Sequence, residues 1–282
     1  MPLVGTGDIV GPAAAAGRGV GAFNVIQLEH AQAIVAGAEA AGTPVILQVS
    51  ENTARYHGAL AAIGTATLAV ARAAGVPVAV HLDHATSATL VEEAVALGFS
   101  SVMYDASTLP YEENLRATAR VRALCHASGV WVEAELGEVG GKDGVHAPGA
   151  RTDPAEAADF VTATGVDALA VAVGTSHAMA TRDAALDFAL IAALRARLPV
   201  PLVLHGSSGV GDEDLATAVA HGMTKVNIAT HLNRVFTRAA REVLDADRSL
   251  ADTRRYLGAG RTAMTHEVTR LLGILDARTA VA

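Results

Sequence analysis

Eight short apolar runs punctuate the chain: VGAFNV (20–25), PVILQV (44–49), PVAVHL (77–82), SSVMYD (100–105), VWVEAEL (130–136), DALAVAV (167–173), PLVLH (201–205) and TKVNIA (224–229). Each is continuous or nearly so in hydrophobicity, the pattern of parallel strands covered on both faces. Between the runs the apolar positions change to i, i+3, i+4 spacing. LEHAQAIVAGAEAAG (28–42) reads as a helix ended by Gly42, and LVEEAVALGF (90–99) as one ended near Gly98. TDPAEAADFV (152–161) opens a third, with Thr152 or Asp153 as cap and Pro154 in the first turn. Strand and helix alternate eight times at roughly 25–35 residue spacing, which predicts an α/β fold closed as a (β/α)8 TIM barrel.

A doubly wound open sheet is the competing arrangement, but no GxGxxG follows the first run. No linker, low-complexity tract or charge block divides the 282 residues, so 1–282 reads as one domain. The stretch 252–282 follows the eighth unit as a C-terminal helical extension, helical over roughly 252–276 and suited to packing on a neighbouring subunit.

Composition then narrows the function. Half the residues are apolar (51%), enough for a large core, while the formal net charge of −8 gives no footprint for nucleic acid or for an anionic membrane. An anionic substrate must therefore find local positive potential from a metal or from backbone N–H groups. One cysteine, Cys125, permits no intramolecular disulfide and reads as a small buried apolar residue. The N-terminus has no charged segment followed by an apolar one, and no apolar run approaches the ~20 residues of a membrane span. The expected location is cytoplasmic.

Reactive groups of such barrels gather at the C-terminal ends of the strands. Here the runs end in Asn24, in Gln48 and Ser50, in His81-Leu82-Asp83-His84, in Asp105, and in Glu133 and Glu135. The last three end in Gly174-Thr175-Ser176-His177, His205-Gly206-Ser207-Ser208-Gly209 and Asn227 through Thr230. A single histidine at a strand end is more often structural. Three of them, His84, His177 and His205, in one barrel mouth describe a catalytic zinc site with an open position. His81 alternates away from the His84 side and reads as structural, and His30, His57, His126, His221, His231 and His266 as solvated. Asp83 is placed for acid–base work, or else for orienting a ligand histidine. Asp105 and Glu135 read as further metal ligands or as the layer outside them. Asn24 and Ser50 face the same mouth. The small residues Gly206, Ser207 and Ser208, with Ala229 and Thr230 after the eighth run, predict backbone N–H groups for a phosphate. The loop 136–145 holds four glycines and reads as a lid over substrate, or as a plain connector.

These residues, with Ala22-Phe23-Asn24-Val25, Ser101-Val102-Met103-Tyr104-Asp105, Gly140-Gly141 and Lys225-Val226-Asn227-Ile228-Ala229-Thr230, resemble in order the class II, metal-dependent ketose-bisphosphate aldolases. The resemblance implies reversible cleavage of fructose or tagatose bisphosphate to dihydroxyacetone phosphate and an aldehyde. It implies Zn2+ on His84, His177 and His205, and Asp83 exchanging a proton with the C4 hydroxyl. Asn227 would hold the enediolate, and Gly206 to Ser208 with Asn227 to Thr230 the C1 phosphate, beside a monovalent cation (Na+ or K+). It further implies Asp105 and Glu135 at a second or displaced metal position, Arg261 toward the distal phosphate, and a homodimer or homotetramer. Two departures stand out. Ala178 replaces a glycine after the sixth-strand histidine. The loop Gly140-Gly141-Lys142-Asp143-Gly144 lacks the family's glutamate, leaving Asp143 as the acid there. Three other activities stay open: an aldolase for another phosphorylated ketose or a deoxy sugar acid, a non-catalytic sugar-phosphate sensor, and a zinc hydrolase. The last often carries a His-x-His pair where this chain has Phe23-Asn24.

Overall fold

All eight apolar runs form strands in a computed structural model, which describes residues 2–136, 151–175, 182 and 184–276. Helix α1 (Thr6–Ala16) precedes β1 (Val20–Asn24) and α2 (Leu28–Ala41), and β2 (Val45–Ser50) is followed by α3 (Glu51–Tyr56) and α4 (Leu60–Ala73). Then come β3 (Val78–Ala85), α5 (Ala88–Leu97), β4 (Ser101–Tyr104), α6 (Tyr111–His126), β5 (Trp131–Leu136), α7 (Pro154–Thr164) and β6 (Ala168–Val171). The chain continues through α8 (Phe188–Arg197), β7 (Leu202–Leu204), α9 (Asp212–His221), β8 (Met223–Ile228), α10 (Thr230–Ala246) and α11 (Thr253–Asp276). Each strand pairs in parallel with the next and β8 returns to β1, so the sheet is a closed barrel. No helix among the described residues is long and apolar enough to cross a membrane.

The strand period of two divides each run between two environments. Phe23, Leu47, Val80, Val132 and Leu169 face outward into the large core beneath the helices. Inside the barrel the layers change in character. The lower layer is apolar: Val20, Ala22, Ile46 and Ala79 pack with Ile9, Val10 and Ala13 of α1, which closes the N-terminal end. Above it lie Gln48, His81, Ser101, Glu133 and Lys225, all with no exposed surface. Register fixes these layers, with Gln48 beside His81, Met103 beside Glu133 and Val203 beside Lys225.

The helix signals hold locally. Gly42 and Gly98 end α2 and α5 in left-handed conformation. Asp153 is the cap of α7, accepting from the N–H groups of Ala155 and Glu156, with Pro154 in the first turn. Thr152 is instead buried and accepts from Ala172 N–H at 2.8 Å. Cys125 is fully buried. The C-terminal extension is α11, and its buried face (Met264, Val268, Leu271, Leu272, Leu275) is taken up within its own chain, against α2 and α10. His30 departs from its expected solvated position: it is buried, edge-on to Phe236 at 5.0 Å, and burial pushes its pKa down to about 4.

Candidate metal and substrate centre

The C-terminal end of the barrel is where the polar layer opens to solvent. Strand parity delivers Asn24, Ser50, Asp83 and Asn227 inward. His84 follows Asp83 directly and on parity alone would point outward. Its φ of 51° and the register shift between Leu82 and Ala85 turn the chain, so both side chains enter the mouth. A non-glycine residue in this left-handed conformation costs on the order of 1–3 kcal/mol, the kind of strain that collects at functional sites. His81 therefore shares its inward face with Asp83, one layer deeper, rather than alternating away from the site. It bonds Ser101 Oγ at 2.8 Å, and burial, with Lys225 nearby, pushes its pKa down to about 3.

Two histidines meet at the centre. His84 Nε2 and His205 Nδ1 are 2.9 Å apart. Behind each ring stands a carboxylate: Asp105 Oδ2 lies 2.8 Å from His84 Nδ1, and Glu133 Oε1 lies 2.9 Å from His205 Nε2. A carboxylate can only accept there, so each far nitrogen carries the proton and each near nitrogen presents a lone pair. Burial lowers the His205 pKa further toward the neutral, ligating form. Glu133 is itself held ionised. Burial pushes its carboxyl up, but Lys225, 2.8 Å away, and the His205 bond outweigh that and hold it well below the usual range.

Asp83 is fixed by a relay of amides. Gln48 donates to Asn24 Oδ1 at 3.1 Å, and Asn24 donates to Asp83 Oδ2 at 2.9 Å. Asp83 Oδ1 is buried and accepts no hydrogen bond among the described residues. Burial raises the Asp83 pKa, yet His84, His205 and Lys225 outweigh it and keep the carboxylate ionised. Asn227 receives Lys225 Nζ on its Oδ1 at 2.9 Å, so its amide nitrogen faces His205. That nitrogen lies 3.4 and 3.1 Å from the two ring nitrogens, which sets it over the ring face rather than in line with either lone pair.

A cavity of about 160 Å³ opens above these groups. Asn24, Ser50, Asp83, His84, His205, Gly206, Ser208, Asn227, Ala229 and Thr230 all line it. Ser207 does not. Its hydroxyl turns down to Leu204 O at 3.0 Å in a 3-10 turn over Ser207–Gly209. Ser208 Oγ accepts from the N–H groups of Ala229 and His231, both at 3.2 Å, so it ties the two anion loops together and occupies an amide expected for phosphate. Arg261 is not brought to the cavity of its own chain. It is exposed on α11 along the outer wall and donates to Gln32 of α2 at 3.0 Å. His177, Ala178 and the loop with Asp143 lie outside the described residues.

Sequence reasoning left Glu133, Lys225, Gln48 and Asn52 without a role. Asn52 lines the cavity from α3. The usable signal for the charged pair was parity: Glu133 shares a face with Glu135, and Lys225 with Asn227, each inside an otherwise apolar run.

The donor set fits a divalent cation. Ligand atoms of Asp83, His84 and His205 lie within 4.8 Å of one another, as do those of His84, Asp105 and Glu135. Nitrogen-rich ligation, with each imidazole backed by a carboxylate, suits zinc.

The family described as "Fructose-bisphosphate aldolase class-II" matches residues 4–279. A fructose-bisphosphate aldolase of Geobacillus stearothermophilus is 41% identical over 268 residues, covering 94% of this chain and 93% of that protein. One from Staphylococcus epidermidis is 39% identical over 272 residues, covering 95% of each. Among solved structures, the YdjI aldolase of Escherichia coli K12 superposes with a TM-score of 0.85 at 32% identity, covering 97% of both chains. A putative fructose-1,6-bisphosphate aldolase from Coccidioides immitis gives 0.86 at 30% identity, covering 96% of both. The chain belongs to the class II fructose-bisphosphate aldolase family.

Proposed function

We propose that the protein is a zinc-dependent aldolase that reversibly cleaves a ketose 1,6-bisphosphate, fructose bisphosphate first among them, to dihydroxyacetone phosphate and an aldehyde. The observation that carries this reading is one arrangement: an ionised Asp83 whose Oδ1 accepts no hydrogen bond among the described residues, beside two histidine nitrogens that converge at 2.9 Å. His84 and His205 would hold the zinc, with His177 as third ligand from the family resemblance. When bound, the ion supplies a Lewis acid for the substrate ketone.

The chain's own groups do the rest. Asn24 anchors Asp83 Oδ2, so Oδ1 takes the proton of the C4 hydroxyl as the C3–C4 bond breaks, and returns it in condensation. Asn227, turned by Lys225, presents its N–H to the oxygen that gains charge. The tied loops at Gly206–Ser208 and Ala229–Thr230 receive the C1 phosphate, with a monovalent cation beside it. Asp105 and Glu135 form an alternative cation position with His84. Asp143 supplies the loop acid. A homodimer or homotetramer is part of the same proposal.

The test is a coupled triose-phosphate assay on fructose and tagatose bisphosphates with added zinc. Asp83→Asn is expected to lose about 10²–10⁴-fold in kcat while retaining zinc. Full activity in that variant would remove Asp83 from its role. Phosphate-dependent binding by the wild type, with neither cleavage nor proton exchange into dihydroxyacetone phosphate, would make the protein a sensor.

A further inference from the structure

The ion pair of Glu133 and Lys225 is sealed inside the barrel, both side chains wholly buried. Lys225 Nζ sits 2.8 Å from Glu133 Oε2, a charge contact outside hydrogen-bond geometry, and donates to Asn227 Oδ1 at 2.9 Å. The other oxygen of Glu133 meets His205 Nε2 at 2.9 Å. An ammonium has three donors and no acceptor, so every atom facing it must be an acceptor. That single polarity runs in two directions. Through Asn227 it places the carbonyl oxygen inward and leaves the NH2 toward the mouth. Through Glu133 it requires an acceptor at Oε2, and the carboxylate offers an acceptor at Oε1 as well.

We propose that Lys225 and Glu133 are positioning residues that set the hydrogen-bond polarity of the whole centre: together they hold His205 as its Nε2–H tautomer, with the Nδ1 lone pair aimed at the metal, and hold Asn227 as a donor. This rests on the reading of His205 as a metal donor.

The pair makes an unusual prediction for Glu133→Gln. An amide has one acceptor and one donor end. Lys225 admits only the acceptor end, so the glutamine NH2 must face His205 Nε2. The ring then accepts at Nε2 and carries its proton on Nδ1, the wrong nitrogen for the metal. Removing the ammonium as well, in the double variant with Lys225→Met, lifts the constraint. The glutamine turns over, its oxygen accepts from His205 Nε2–H, and its NH2 faces His81 Nε2, which lies 3.8 Å from Glu133 Oε2.

Two measurements separate this from its premise. Nitrogen-15 NMR of histidine-labelled, chelator-treated protein reads the tautomer without metal, with the His205 signals assigned by their absence in His205→Gln. The wild type is expected as Nε2–H, Glu133→Gln as Nδ1–H, and the double variant as Nε2–H again. Chelator competition then reads zinc affinity: about 10–100-fold weaker in Glu133→Gln, as for other residues that orient a ligand histidine, and recovered at least tenfold toward wild type in the double variant if the single loss is 100-fold. An Nδ1–H tautomer in the wild type overturns the inference even if no variant folds, as does a double variant no better than Glu133→Gln. Unchanged zinc affinity in His205→Gln would instead overturn the metal reading while leaving the tautomer result standing.

Discussion

Gly174, at the end of the sixth apolar run, offers a sharp test of how tightly the mouth is built. Its φ is 119°, outside the conformations open to side-chain-bearing residues, and a Cβ added there would lie 2.2 Å from the carbonyl oxygen of Ala185. Real Cβ contacts stay beyond 3.0 Å, so Ala185 must retreat by about 0.8 Å. It is poorly placed to do so. Asp187 N–H binds Val173 O at 2.9 Å on one side, and Ala184 N–H binds Gly209 O at 3.0 Å on the other. Gly174→Ala therefore combines about 1–3 kcal/mol of backbone strain with about 1–3 kcal/mol of overpacking. For a chain of this size that is a fall in Tm of roughly 5–15 °C. Because Ala184 holds Gly209, the displacement also pulls on the turn that carries Gly206 and Ser208, and KM for the bisphosphate should rise. Calorimetry and steady-state kinetics read both effects. A variant within 2 °C of wild type, with unchanged KM, would refute the rigid coupling of these two loops.

Three further outcomes follow from the same geometry. Asn24→Ala removes the amide that anchors Asp83 Oδ2 and should lower kcat by about tenfold or more with little change in zinc content, measured by the coupled assay and metal analysis. Phe160 is fully buried on α7, and Phe160→Ala should cost about 3–5 kcal/mol in urea unfolding without altering zinc binding. Glu267 joins α11 to α10 through His231 at 2.6 Å. Burial raises its pKa, but its bonds to Arg270 and His231 bring it down to about 2, against 4.5 ordinarily. A lowered folded pKa gives stability that is present above 4.5 and lost as pH falls from 4.5 toward 2. Glu267→Gln should thus cost about 1 kcal/mol near pH 7, after allowing for solvent screening, and nothing near pH 2. An equal cost at both pH values would show the pair to be inert.

The eight strands were legible because burial on both faces writes an apolar run that local competition cannot erase. Helix α1 was not: its buried face is only Thr6, Ile9, Val10 and Ala13, interrupted by Gly11 and Pro12, too short for a period to show. Most of the cavity lining was legible from strand ends, since closure of the barrel supplies the convergence that sequence spacing cannot. Parity set His81 and His84 on opposite sides because it assumes an unbroken strand, whereas the chain turns at His84 and brings it to the face of Asp83 and His81. Glu133 and Lys225 stand in the sequence motifs without a role for a different reason. A charged residue in isolation reads as solvated, and its burial becomes affordable only through a partner on another strand, which pairing across the barrel interior reveals. Ser207 and Ser208 look alike in sequence, and only the 3-10 turn decides that one faces inward to Leu204 and the other into the mouth.

The most direct test of the central claim is metal removal and return. Protein stripped by a chelator should be inactive on fructose 1,6-bisphosphate and regain triose-phosphate production with zinc, while His84→Ala and His205→Ala bind little zinc and stay inactive. The contradicting result is cleavage that survives metal removal and is abolished by borohydride with dihydroxyacetone phosphate present. That outcome would make a lysine such as Lys225 the covalent centre and dismiss the histidine pair.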